Sequence, residues 1–320
     1  MHSTPSASVH PQQGTRRKIR FTSGNTECAG WYYPTANGAC VVMAGGFAVT
    51  KEPATDLFAA RLHAAGFGVL AFDYRRLGES GGLPRQIVRV GEQLADWQAA
   101  VEHAATLPGV DPARIAVWGF SASGGHIFRV AARIPHLAAA IAQTPNAGGP
   151  AASLSVMRFQ KPWAALRLTA RGIFDGLGGL FGRAPLLVPL GGQPGTVAVL
   201  TTPDVADAQQ ALDPEGRHAD WLQQVAARSV LRLSVYQPGR AAARIRCPLL
   251  VLVCDQDKSA YPPAALAAAS KAPRAEVARL PGGHYAPFLT AHELAVAAQI
   301  DFLSRHLGDV VTADTADTAE

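Results

Sequence analysis

Cysteine is scarce and poorly placed for chemistry. The 320 residues hold four, Cys28, Cys40, Cys247 and Cys254, and no two stand in a C-x-x-C pair. A zinc site and a redox dithiol both lack their spacing, so no metal and no cofactor is expected. Cys40, Cys247 and Cys254 border or sit in apolar runs, which predicts buried thiols in a reducing compartment. Charge is also thin. Only 17% of residues are charged, and 29 basic against 24 acidic side chains leave a net +5. The basic side is mostly arginine, spread along the chain rather than clustered, which predicts a solvated surface and no nucleic-acid partner. No apolar run approaches the roughly 20 residues a membrane-spanning helix needs. The first twenty residues, MHSTPSASVHPQQGTRRKIR, hold no apolar leader segment. The expectation is a cytoplasmic protein with no stable membrane insertion.

What is present is a large apolar fraction, 48%, enough for a substantial core. Short, nearly continuous apolar runs recur: ACVVMAGG (39–46), FGVLAFDY (67–74), RIAVWG (114–119), LAAAIAQ (137–143) and PLLVLVCD (248–255). Such runs suit parallel strands covered on both faces. A last strand is expected in AEVARL, before a Gly-Gly loop. Amphipathic helices fall between. Ile87, Val90, Leu94, Trp97 and Val101 recur at steps of 3, 4, 3 and 4. Leu57, Phe58, Leu62 and Ala65 form another stripe, ended by Gly66. Thr290 and Glu293 read as a capping box for a helix carrying Val296, Ile300, Leu303 and Leu307. The alternation implies an α/β fold with a mostly parallel central sheet and helices on both faces.

One region breaks the rhythm. Across 147–243 no further core strand arrives, only helical pieces with Gly and Pro breaks, too long for a connection. The expected organisation is a core of 17–146 and 244–307, a mainly helical cap inserted at 147–243, and disordered ends at 1–16 and 308–320.

The chemistry centres on VWGFSASGGH, 117–126. A nucleophilic serine sits on a strained turn directly after a strand and before a helix, flanked by small residues. Ser121 falls at that turn, and Ser123 falls half a turn into the helix, so Ser121 is the expected nucleophile. Serine alone is a poor nucleophile and requires a base held by an acid. In CDQDKSAYPP two aspartates compete. Asp255 ends the strand, whereas Asp257 lies in the loop beyond it, which favours Asp257. TPNAGG, after the preceding strand, offers no carboxylate. In LPGGHYAPF the Gly-Gly loop presents His284 as the base. His63, His103 and His292 fall on helices, and His126 is expected to be structural. For a developing oxyanion, the N–H groups of Phe47, after Gly45-Gly46, and of Ala122 are the expected donors. Phe159, Trp163, Trp221 and Tyr236 are candidates to line the substrate pocket. Arg158, Arg167 and Arg171 are expected to be exposed. The arginines of DYRRLGES are expected in structural ion pairs.

With VVMAGGFAVTKE, GVLAFDYRRLGESGGLPRQ, RIAVWGFSASGGH, CPLLVLVCDQD and LPGGHYAPF in order, the chain resembles the α/β-hydrolase family, and more closely bacterial capped serine hydrolases. Three positions depart from the family pattern. Gly45 stands where many relatives have histidine, Arg76 where glycine is usual, and Ser123 at the motif's last glycine. The resemblance implies hydrolysis of an ester, thioester or lactone through Ser121, His284 and Asp257, with a small-molecule acyl substrate. Acyl transfer or amide hydrolysis on the same residues is the alternative, and a non-catalytic ligand-binding protein is the reading of another class. A homodimer stays open.

Overall fold

The computed structural model describes residues 16–308. The expected disordered ends lie outside the described residues, except Arg16 and Gly308. Arg16 is held by Asp56 at 3.0 Å.

The chain begins with a hairpin, β1 (Arg17–Ser23) and β2 (Thr26–Tyr33), then runs β3 (Cys40–Ala44), α1 (Lys51–Ala64), β4 (Gly68–Phe72), α2 (Val90–Ala104), β5 (Ile115–Phe120), α3 (Ala122–Arg133) and β6 (Ala139–Gln143). An insertion follows: α4 (Pro150–Met157), α5 (Pro162–Leu180), β7 (Leu187–Pro189), α6 (Val205–Leu212), β8 (Gln224–Ala226) and α7 (Ala227–Ser234). The core resumes with β9 (Leu249–Cys254), α8 (Pro262–Ala269), β10 (Ala275–Leu280) and α9 (His292–Leu307). Eight strands form one sheet in the order β1-β2-β4-β3-β5-β6-β9-β10. β1 and β2 join antiparallel, and the other six run parallel.

Alternation within the apolar runs feeds two separate cores. Cys40, Val42, Ile115, Val117, Leu249 and Val251 face α2, α3 and α8 on one side. Val41, Met43, Ala116, Trp118, Leu250 and Leu252 face α1 and α9 on the other. All six expected strands are present as β3, β4, β5, β6, β9 and β10, with ends within two residues of those expected. The two starting strands were not anticipated. The helix at 87–101 begins at Val90, with Ile87 buried in the preceding loop. The capping box does not form: α9 starts at His292, and Glu293 instead pairs with Arg61. All four cysteines are free and buried, and burial pushes the thiols of Cys28, Cys40 and Cys254 up to about 12 and that of Cys247 to about 11.

The insertion contributes nothing to the large sheet. Its α5 packs on α7, with Gly172 facing Ala227 and Leu231, beside an ion pair of Asp175 with Arg228. Its β7 and β8 pair with each other. Among the described residues no helix is long and apolar enough to cross a membrane.

Because β3, β5, β6, β9 and β10 are parallel, their trailing loops gather at one edge. After β3 the chain moves to β4 on one side, and it later returns to β5 on the other. The crevice at such a reversal is where open α/β sheets bind ligands.

Candidate active site

Ser121 follows β5 directly and opens α3, with φ 57° and ψ −114°. Left-handed φ at a non-glycine residue is strained, and the surroundings must hold it there. Here the Ser121 N–H donates to the Gln143 carbonyl at 2.9 Å, and its carbonyl accepts from Gly125 and Asn146, both at 2.9 Å. The neighbouring glycines make this possible. A Cβ on Gly119 would lie 2.5 Å from the Ser123 carbonyl oxygen, and one on Gly125 would lie 2.3 Å from that of Asn146. Backbone cannot rotate away as a side chain can. Gly125→Ala is therefore expected to destabilise the protein by about 1–3 kcal/mol, read as a lower urea midpoint at unchanged m.

The loop after β10 brings His284 over this turn. Its Nε2 lies 2.9 Å from Ser121 Oγ, and its Nδ1 lies 2.7 Å from Asp257 Oδ2. The other carboxylate oxygen of Asp257 accepts the N–H groups of Ser259 and Ala260, both at 2.8 Å. Asp257 can only accept, so Nδ1 carries the proton and Nε2 is free to accept from the serine. Both His284 and Asp257 are buried. Burial opposes charge on the imidazole, but the charge and hydrogen bond of Asp257, joined by the charge of Asp204, outweigh it and raise the His284 pKa above its usual value.

The loop after β3 lies against the serine. A Cβ on Gly46 would meet the Phe120 ring at 3.3 Å and Ser121 Cβ at 3.4 Å. Among the described residues neither the Phe47 nor the Ala122 N–H has a backbone acceptor. One chain of buried donors ties this loop to α3. Trp97 Nε1 donates to the Tyr74 hydroxyl at 2.7 Å, Tyr74 pairs with Ser123 Oγ at 2.5 Å, and Ser123 donates to the Gly45 carbonyl. Ser123 is thus fully occupied, buried and away from His284.

Ser121 and Phe47 open onto a cavity of about 650 Å³. Its walls come from the core, with Val49, Phe120 and Tyr285, and from the insertion, with Phe159, Leu190, Leu200, Leu212 and Trp221. Among the described residues no charged side chain lines it.

A family model described as "Alpha/beta hydrolase family" matches residues 40–298. The chain belongs to the α/β-hydrolase family. It is an enzyme of hydrolase type. The chain is 37% identical over 291 residues to the quorum-quenching protein AidA of Acinetobacter baumannii, covering 90% of this chain and 94% of that one. It is 43% identical to thiohydrolase aneE of Aspergillus aculeatus over 93 residues, 29% of each chain. In structure it resembles the α/β hydrolase GrgF of a Penicillium species, with a TM-score of 0.76 at 22% identity, covering 91% of this chain and 99% of that one.

Several expected residues of this α/β hydrolase lie elsewhere. Trp163 is half exposed on α5, with Arg167 stacked 5.0 Å above its ring, and does not reach the cavity. Tyr236 also lies outside it. Its hydroxyl meets His126 Nδ1 at 2.9 Å, beside a separate surface depression. Phe159 and Trp221 do line the cavity. Asp255 forms an open ion pair with Arg279 at 2.6 Å, away from His284. His126 is buried between Tyr236 and Gln93, and burial, helped by the charge of Arg129, lowers its pKa to about 3. His63 packs on Tyr33, His103 stacks on Phe21, and His292 bonds the Pro287 carbonyl. Arg158, Arg167 and Arg171 are exposed.

The departures from the family pattern have local causes. At Gly45 a Cβ would lie 2.6 Å from the Val49 carbonyl oxygen and 2.9 Å from Ala54 Cβ, so no side chain fits. Arg76 has φ 72°, the conformation that favours glycine, and its guanidinium is held by Glu92 at 3.0 Å. Arg75 pairs with buried Asp96, and Asp73 with buried Lys51 at 2.9 Å. The DYRRLGES loop is thus a structural network.

Proposed function

We propose that this α/β hydrolase is a serine hydrolase that cleaves an ester, thioester or lactone with a neutral, largely apolar acyl part. The observation that carries the proposal is the continuous contact Ser121 Oγ–His284 Nε2 at 2.9 Å and His284 Nδ1–Asp257 Oδ2 at 2.7 Å on a strained turn facing an uncharged cavity. Ser121 Oγ attacks the carbonyl carbon while His284 Nε2 takes its proton. Asp257 accepts from Nδ1 and stabilises the imidazolium. The N–H groups of Phe47 and Ala122 receive the oxyanion, each worth about 3 kcal/mol. His284 then protonates the leaving alcohol, thiol or hydroxyl. Water, deprotonated by the same imidazole, attacks the acyl-serine and releases acid and enzyme. The segment 147–243 acts as a cap, roofing the acyl chain with Phe159 and Trp221.

The reading is supported by relatives named for quorum quenching and for thiohydrolysis. A fluorophosphonate probe tests it: the wild type should be labelled, and Ser121→Ala should not. A panel of p-nitrophenyl esters, acyl thioesters, lactones and acyl amides, assayed with and without added alcohol, ranks the substrate classes and separates hydrolysis from transfer. Absence of labelling, or labelling that survives in Ser121→Ala, removes the proposal.

The raised His284 pKa sets a pH dependence. The base must be neutral, so activity is lost as pH falls through that pKa. The acid limb of kcat/KM is expected to have its midpoint above the ordinary histidine value of about 6.5. A profile of kcat/KM from pH 5 to 9 measures it.

A further inference from the structure

The insertion does more than roof the cavity. At its inner edge, between Thr202 and Val205, lies Asp204, and both neighbours line the cavity. Asp204 stands at the N-cap of α6, where an aspartate ordinarily accepts from its own helix. It makes no such bond. Its carboxylate turns away and enters the catalytic loops. Oδ2 accepts the Lys258 N–H and the Ser259 hydroxyl, both at 2.9 Å, and Oδ1 accepts the His284 N–H at 3.3 Å. Thr202 Oγ1 completes the set, 2.6 Å from Ser259 Oγ. Ser259 N–H in turn holds Asp257. One carboxylate from the insertion thus grips both the acid loop and the histidine loop.

The grip explains a feature of the sequence. Gly283 precedes His284, and a Cβ there would lie 2.4 Å from Asp204 Oδ1, with no other atoms nearby than those of Asp204. Glycine is needed at 283 because Asp204 is there. Asp204 is buried, and among the described residues no lysine or arginine pairs with it. Its negative charge therefore acts on the nearest group that can become positive, the His284 ring.

We propose that Asp204 is a positioning residue for the triad, a second buried carboxylate that fixes the acid and histidine loops and favours the imidazolium formed during attack. The inference rests on the triad reading above. It makes the insertion part of the catalytic apparatus: the turn that touches the acyl chain on one side holds the base on the other.

The groups facing His284 are few. Asp257 comes from the loop after β9 and Asp204 from the insertion. Tyr285 adjoins it on its own loop, and Cys254 lies at the end of β9. Burial pushes the pKa of both up, so both are neutral. Asp207, on α6, acts on Tyr285. Among the described residues the charges acting on the ring are those of Asp257 and Asp204, and removing one of them must lower the imidazole pKa.

Asp204→Asn keeps the size and removes the charge. With a p-nitrophenyl ester, kcat is expected to fall about 10- to 100-fold with KM within about 3-fold, and the acid limb should move down by about half a pH unit or more. A structural role alone would lower thermal stability but leave the midpoint of the profile in place. An unmoved midpoint therefore overturns the proposal, whatever happens to kcat. A second comparison needs no charge argument. Gly283→Ala should lower kcat in the wild type and cost nothing further in Asp204→Ala, where the obstructing carboxylate is gone. Additive losses in that double mutant also overturn the proposal. Fluorophosphonate labelling of the wild type separates the two failures. An unlabelled wild type refutes the triad, whereas a labelled wild type with an unmoved Asp204→Asn profile refutes the role of Asp204 alone.

Discussion

Ser121→Ala is expected to lower kcat by about 10⁵-fold or more while leaving the fold intact. In the proposed mechanism the Ser121 hydroxyl supplies the attacking oxygen, and among the described residues no second hydroxyl bonds His284 Nε2. Ser123 Oγ is committed to Tyr74 and Gly45. What survives should come from the oxyanion donors and binding. Initial rates on an activated ester, with circular dichroism as the control for folding, give the result. The same position predicts an opposite effect on stability. Ser121 has φ 57°, so alanine inherits the strain, whereas glycine adopts that conformation freely. Ser121→Gly should be as inactive as the alanine variant yet melt higher than it. Residual activity near that of the wild type would mean that another group attacks.

Asp257→Asn is expected to reduce kcat by about 10⁴-fold, the loss known for this exchange when an amide forces the wrong histidine tautomer. The geometry says why the amide cannot adapt. Ser259 and Ala260 both point N–H groups at one oxygen of residue 257. The amide oxygen must stay there, so its NH₂ is forced towards His284 Nδ1. Two donors then meet, the ring flips its proton to Nε2, and Nε2 can no longer accept from Ser121. Asp255→Asn serves as the control. Its partner is Arg279 on an exposed edge, so a change within about 2-fold is expected. If the two substitutions had equal effects, the acid would be misassigned.

The parts of the molecule that were legible in the sequence are those where one local rule decides. Strands β3 to β6 and β9 are buried on both faces, so each is written as an apolar run. The loops that carry Ser121, Asp257 and His284 announce themselves by following strands. β1 carries no such run because it is an edge strand: RKIRFTS exposes its charged residues and buries only Phe21 and Ser23. β7 and β8 span three residues each, too short for any periodic signal. Trp163 does not line the cavity because α5 turns it outward, which its residue type alone does not reveal. Leu166, Ile173, Phe174 and Leu177 share its outward face of α5, and all are half exposed or more. Asp204 carries no sequence signal of its own. Its proposed role depends on α6 being docked against two loops 54 and 80 residues away in the chain.

The buried line from Trp97 through Tyr74 and Ser123 to Gly45 restricts what positions 45 and 123 can hold. Ser123 is tolerated because its hydroxyl donates a hydrogen bond to the Gly45 carbonyl, and the bare α-carbon of Gly45 lets Val49 and Ala54 close over it. Changing residue 123 to glycine strands a phenol and a carbonyl in a dry interior, while enlarging residue 45 drives Val49 and Ala54 outward. The loop after β3 and the start of α3 therefore keep their contact only while residue 45 stays bare and residue 123 keeps its hydroxyl.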